Sequence, residues 1–178
     1  MKNIQISIIT LSKNDHFKFL KTLKSIELQK INFNIEWIVI DGSNQKINRK
    51  NKRYIRQKFS KKDNILINHI NSKKENIEGI YPCMNYGKSI SRGEFIIFLN
   101  SGDTFFNKNS LNIFFKNTLN LTSKNNLIFG QANIIASQKI NWFFPGKELK
   151  SIKNWLKFFE PNHQAMLISN KLAKQFNF

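Results

Sequence analysis

Apolar residues fall along this chain in short β-branched runs separated by stretches of helical period. That order predicts alternating strands and helices. The first run, "IQISIIT" (4 to 10), reads as a buried strand. A polar loop, "LSKND", offers Ser12 and Asn14 as cap residues, and Phe19, Leu20, Leu23 and Ile26 then recur at helix spacing. "IEWIVIDGS" (35 to 43) is a second buried strand that stops in an Asp-Gly-Ser turn. Two strands joined by a helix form a β-α-β unit, whose right-handed crossover makes the strands parallel.

The alternation continues. Ile47, Tyr54, Ile55 and Phe59 mark one stripe of a helix within 46 to 62, and "NILINHI" (64 to 70) is a third strand. After a polar loop over 71 to 79, a short helix is predicted from Pro82 to Ser91, with proline in its first turn, before "EFIIFL" as a fourth strand. The fold class expected is α/β, a doubly wound and mostly parallel sheet. The second half is less regular. "SLNIFFKNTL" suits a helix, "NLIFGQANII" and "KINWFF" suit strands that pair antiparallel, and "PGKELKSIKNWLKFF" suits a loop leading to a short aromatic helix. "EPNHQAMLISNKLAKQFNF" suits a strand followed by a helix. At 178 residues the chain is expected to form a single domain, residues 1 to 178.

Charge changes the picture more than length does. Lys and Arg number 29 against 11 acids, a formal charge of +18, and residues 46 to 62 carry nine of the cations with no acid. Such an excess favours polyanionic neighbours, whether nucleic acid, anionic lipid or phosphorylated ligands, and does not by itself choose among them. A nucleic-acid-binding reading lacks any accompanying helix-turn-helix or RNA-binding pattern. A lone cysteine, Cys83, excludes an internal disulfide and fits a reducing cytoplasm. The apolar stretch at the amino terminus is too short for a signal peptide or a spanning helix, so a cytoplasmic location is expected.

Acids are scarce enough for their placement to matter. Of four aspartates, Asp41 and Asp103 follow predicted buried strands at their carboxyl ends, where ligands bind in open α/β sheets. Two readings are open for this pair. Either both start turns, since Asp-Gly and Ser-Gly-Asp are ordinary turn chemistry, or Asp41 bonds a nucleobase or ribose and Asp103 binds a divalent cation on a diphosphate. Neither a Gly-rich phosphate loop followed by Lys nor a dinucleotide fingerprint is present, and no Cys or His spacing points to zinc.

The ordered pieces "ISIITLSKND", "LKSIELQ", "IEWIVIDGS", "GIYPCMNYGKSISRGEFIIFLNSGD" and "HQAM" resemble a family 2 glycosyltransferase of the GT-A fold, in the branch that builds bacterial cell-surface polysaccharides. The resemblance covers about residues 4 to 105, with "HQA" as an outlying anchor. It implies a nucleotide-diphospho-sugar donor and a glycan or lipid-linked acceptor. Residues 1 to 105 would be the nucleotide-sugar-binding half and 106 to 178 a partial acceptor-side half. It places Thr10, Asp41, Asn85, Ser101 and Gln164 at the donor and His163 in catalysis. Asp103 stands where the family holds its metal, Mg²⁺ or Mn²⁺, with Ser101 replacing the first acid of the usual pair. After Asp103 the only carboxylates are Glu148 and Glu160, of which Glu160 is the candidate general base for an inverting transfer. In the family that base usually lies beyond the "HQA" segment. A shortened transferase is therefore one expectation, and a non-catalytic nucleotide-sugar-binding remnant the alternative. Acceptors of this branch are often lipid-linked, so the cationic surface is expected to contact anionic membrane at its inner face, with no nucleic acid as partner.

Overall fold

The computed structural model describes residues 3–122, 126–137, 140–146 and 152–178. The predicted alternation is present: β1 (Ile6–Ser12), α1 (His16–Glu27), β2 (Ile35–Asp41), α2 (Gln45–Phe59), β3 (Ile65–Asn71), α3 (Ile80–Ile90) and β4 (Phe95–Phe98). There follow α4 (Ser110–Lys116), β5 (Leu127–Phe129), β6 (Ala132–Ile135), β7 (Asn141–Phe144), α5 (Ile152–Trp155), a 3-10 turn at His163–Ala165, β8 (Met166–Ser169) and α6 (Asn170–Ala173).

Six strands form one sheet in the order β3-β2-β1-β4-β8-β5. β1, β2, β3 and β4 are parallel, and β8 and β5 extend the sheet antiparallel. β6 and β7 make a separate antiparallel pair. The chain runs from β1 outward to β3 and returns to the other side of β1 as β4. The order therefore reverses between β1 and β4, and the crevice for a ligand opens at their carboxyl ends.

Side-chain alternation builds two cores. Ile6 and Ile8 with Trp37, Val39, Ile97 and Leu99 face α1 and α2, while Ile9, Ile38, Ile40, Ile96 and Phe98 face α3. Both faces of the central strands are buried, which is why they read as continuous apolar runs. Gly87 brings α3 against the sheet: a Cβ there would lie 2.7 Å from Ile9 Cγ2. No helix among the described residues is long and apolar enough to cross a membrane.

Several details differ from the sequence expectation. The N-cap of α1 is Asp15, which accepts from the Lys18 N–H at 2.9 Å, rather than Ser12 or Asn14, because β1 runs on through Ser12 and Asn14 turns at a φ of +55°. α3 starts at Ile80, two residues before Pro82, behind Gly79 at a φ of +96°. "NLIFGQANII" is two strands in different sheets, divided at Gly130 and Gln131.

Candidate functional site

The stretch "EFIIFLNSGD" ends β4 in a four-residue turn. The Asp103 N–H donates to the Asn100 carbonyl at 2.9 Å, and Gly102 takes a φ of +106° that residues with a Cβ avoid. The turn is fixed from two sides. The Ser101 N–H continues the ladder to the Leu11 carbonyl at 3.0 Å. Beneath it lies Thr22 of α1, wholly buried, which the sequence reading did not single out. Its hydroxyl accepts from the Gly102 N–H at 2.9 Å and donates to the Asp103 carbonyl at 2.8 Å, with the Asn100 carbonyl 3.2 Å away. A Thr on the buried face of a helix gives no sequence signal, because the loop it serves lies some eighty residues away. Replacing Thr22 by Val keeps the shape and removes these bonds. It is expected to cost about 1–3 kcal/mol of stability by leaving the Gly102 N–H without its partner, read by thermal melting, and to weaken any ligand held by the turn.

Asp103 is half-buried. Burial pushes its pKa above the ordinary aspartate value, against opposing contributions from the Gln164 side chain and the nearby His163. Gln164 Nε2 donates to its Oδ2 at 3.2 Å, so the 3-10 turn at His163–Ala165 is brought to the end of β4 across sixty-one residues. His163 itself is exposed. At the adjoining ends of β1 and β4 and on the 3-10 turn, the side-chain oxygens of Ser12, Asn100, Ser101 and Gln164 are buried with no hydrogen-bond partner within the described residues. Each unsatisfied group costs about 1–3 kcal/mol, and four on these neighbouring segments mark a place prepared for a ligand or for ordered water.

Two clefts meet at this turn. The first, about 440 Å³, is lined by Ser12, Lys13, Gly42, Ser72, Ile80 and Asn100 among others, between β1, the end of β2 and α3. The second, about 510 Å³, has Asp103, Gln131, Asn133, Asn162 and Gln164 among its lining residues. Both volumes suit small molecules.

The other predicted residues are placed as follows. Thr10 is fully buried on the α1–α2 face. Its hydroxyl donates to the Leu99 carbonyl at 2.8 Å and accepts from Trp37 Nε1 at 2.9 Å, so it ties β4 and β2 to β1 instead of facing the cleft. Asp41 lies on the same face, by the alternation of β2, and its carboxylate is completely covered. It accepts from the Ser43 N–H and Asn51 Nδ2 at 2.9 and 2.8 Å, and lies 3.3 Å from His69 Nε2; Asn51 in turn meets His16 Nδ1 at 2.7 Å. Burial raises the pKa of Asp41, but the bonds from His69, Ser43 and Asn51 outweigh it and hold the carboxyl below the usual value. His69 and His16 are the outer members of this network. Asp41 therefore anchors the strand end, and the backbone of Gly42 beside it lines the first cleft.

Asn85 bonds the backbone of Phe178, donating to its carbonyl at 3.3 Å and accepting from its N–H at 3.1 Å. Lys88, in the same helix, faces neither solvent nor a cleft. It is buried beneath residues 176 to 178, bonded to the Phe176 carbonyl, with the ring of Phe178 5.5 Å away, and desolvation lowers its pKa. Arg92 pairs with the buried Glu36 at 3.3 Å, at the amino end of the sheet and away from the clefts. Cys83 is a packed thiol with its pKa raised by burial. Glu160 is exposed, and neither it nor His163 is among the described lining residues of the second cleft. Glu148 lies outside the described residues.

The donors near Asp103 test the site for a metal. No group of three or more His, Cys, Asp or Glu among the described residues could hold an ion. What is present is one carboxylate and several unpartnered neutral oxygens, a set that fits a hard cation keeping most of its positions for water and phosphate.

No family model matches the sequence, and no curated protein matches it either. Solved structures do. Residues 1–349 of TarS from S. aureus superimpose with a TM-score of 0.63 at 18% identity, over 97% of this chain and 49% of that one. An active-site mutant of LgtC gives a TM-score of 0.55 at 13% identity, over 96% of this chain and 60% of that one. The fold is that of the GT-A glycosyltransferases. This chain spans about half the length of its GT-A neighbour TarS. TarS has also been solved with UDP, in a structure that matches at a TM-score of 0.54 and 19% identity, over 71% of this chain and 35% of that one. The GT-A galactosyltransferase LgtC has likewise been solved with donor and acceptor sugar analogues.

Proposed function

We propose that this chain is the donor-binding portion of a family 2 glycosyltransferase. It would move a sugar from a nucleotide-diphospho-sugar to a glycan or lipid-linked acceptor in cell-surface polysaccharide synthesis. The observation that carries the reading is the turn at residues 100 to 103: one carboxylate with a raised pKa and four unpartnered oxygens at the switch point of a GT-A sheet, between two clefts. The neighbours solved with UDP, UDP-GlcNAc or sugar analogues support a nucleotide-sugar ligand.

Each cleft suits one part of that ligand. The first has apolar walls at Leu11, Ile40, Ile77 and Ile80 for a nucleoside, with Lys13 and Lys73 to offset diphosphate charge. The second presents the amides of Gln131, Asn133, Asn162 and Gln164, which both donate and accept and so match sugar hydroxyls. Asp103, with the oxygens of Ser101 and Gln164, would hold Mg²⁺ or Mn²⁺. Such an ion neutralises charge on the departing diphosphate. Ser101 and Gln164 then position the donor, Thr22 keeps their turn in place, and Asp41 holds the wall at Gly42. Thr10 acts behind the cleft through β1, and Asn85 through α3. Transfer is inverting, and removal of the acceptor proton falls to Glu160 or His163, which flank the second cleft in sequence.

Titration calorimetry with UDP, GDP and their sugar conjugates, with and without Mn²⁺, tests the reading. Nucleoside diphosphate binding that strengthens with the cation is expected. No binding of any of these ligands under either condition would remove the donor assignment. Turnover with a polyprenyl-linked acceptor separates an enzyme from a protein that only binds nucleotide sugars.

A further inference from the structure

Helix α2 carries seven Lys and Arg between Lys46 and Lys58 and no acid, and all seven are exposed. At 1.5 Å per residue its fifteen residues form a cationic ridge about 22 Å long. Arg49, Lys52, Arg53 and Arg56 stand three or four residues apart, so they repel one another along the helix surface. What fixes the helix is its opposite side, where Asn48, Asn51, Ile55 and Phe59 are buried. Lys58 pairs with Glu27 of α1 at 3.7 Å, and the like-charge neighbours along the rest of the ridge oppose folding slightly.

Beside the ridge, α2 and the edge strand β3 enclose a groove of about 500 Å³. Its lining combines apolar Ile55, Phe59, Ile65 and Ile67 with the cationic Lys52 and Arg56. The face lies at the β3 edge of the sheet, the opposite edge from β5, and shares no lining residue with either cleft.

We infer that this face docks the protein on an anionic phospholipid bilayer, with α2 lying along the headgroups and the α2–β3 groove meeting the boundary between headgroup and acyl chain. Cations next to an apolar floor match that boundary, and long Lys and Arg stems cover apolar surface while their heads reach phosphate. Nucleic acid fits less well. Single strands are held by aromatic side chains that stack bases; of the two α2 aromatics, Tyr54 is half-buried with its ring 5.2 Å from that of His16, and Phe59 is buried with its ring 5.3 Å from that of Trp37. The assignment is independent of the donor site and stands or falls without it.

The test is cosedimentation with phosphatidylcholine vesicles, with and without 30% phosphatidylserine. Because the whole protein is cationic, the deciding comparison is between two charge-matched variants. One carries Lys46→Gln, Arg49→Gln, Lys50→Gln and Arg53→Gln; the other carries Lys21→Gln, Lys24→Gln, Lys30→Gln and Lys116→Gln. Binding to the anionic vesicles at low salt is expected, falling steeply as salt rises. The α2 variant is expected to lose on the order of 1,000-fold in vesicle affinity, from the usual contribution of each of four cations near anionic lipid, and the control variant far less. Thermal melts of both confirm that they fold. Equal losses in the two variants, or equal binding to neutral vesicles, overturns the inference. So does stronger retention of the wild type by single-stranded RNA than by vesicles at matched phosphate concentration and salt.

Discussion

Asp103→Asn is expected to abolish the cation-dependent part of nucleotide binding while leaving the ligand-free protein as stable as the wild type or more so. The two effects share one cause. Asp103 is half-buried, with a single hydrogen bond from Gln164 Nε2 among the described residues and a pKa raised by desolvation. A carboxyl whose folded pKa exceeds its unfolded one binds more protons when folded, so its contribution to stability falls as pH rises from the unfolded value through the folded one. At neutral pH the charged form is thus a liability that a neutral amide at this position removes. The same charge is what a divalent cation needs. Losing supporting groups around a metal costs 10–100-fold in affinity, so loss of the only carboxylate in the turn is set at about 100-fold or more. Calorimetry with Mn²⁺ and nucleoside diphosphate, beside a melt of the free protein, reads both. Cation affinity of the wild type should also weaken as pH falls toward the pKa of Asp103, which burial raises above the ordinary aspartate value. Unchanged cation dependence in the Asp103→Asn variant would take Asp103 out of the site.

The largest expected effect on stability lies at the other end of the sheet. Gly93 precedes β4 where it passes closest to β1, and a Cβ there would lie 2.6 Å from both the Ser7 backbone nitrogen and Ser7 Oγ. Its N–H donates to Ser7 Oγ at 2.8 Å, and Ser7 in turn donates to the buried Glu36 at 2.6 Å. The added methyl of Gly93→Ala cannot be absorbed by a side-chain tip, because backbone meets it. Moving Ser7 would also loosen the bonds around Glu36. Overpacking of this kind costs about 3 kcal/mol at the upper end of its usual range. For a chain of this size that lowers the melting temperature by about 6–12 °C. Gly87→Ala is the comparison: its Cβ would meet side-chain methyls, Ile9 Cγ2 and Ile40 Cδ1, rather than backbone, so a smaller loss is expected. Calorimetric melting of the two variants decides, and equal losses would contradict the distinction between backbone and side-chain contact.

Strand identity was legible because burial on both faces leaves a local mark. "IQISIIT", "IEWIVIDGS" and "EFIIFL" have no polar face to hide, and each is a strand within two residues of its expected bounds. The place of Asp103 was legible for the same reason: a polar turn that ends a buried strand sits at the rim of a crevice. The direction in which a side chain points at such a rim was not. Asp41 and Thr10 also stand at or near strand ends, but their parity turns them toward α2 and Trp37, where Asn51, His69 and the Leu99 carbonyl use their polar atoms.

The sequence by itself determined the alternation of elements, the mostly parallel sheet, the cationic helix and the one carboxylate after β4. Each is written in the period or charge of neighbouring residues. Only the tertiary structure decided that Gln164 meets Asp103, that Thr22 carries the turn, that β8 enters the sheet antiparallel, and that Asn85 and Lys88 lie against residues 176 to 178. Those contacts join residues sixty to ninety-three positions apart. A single hydrogen bond across such a distance leaves no periodic trace in the chain that makes it.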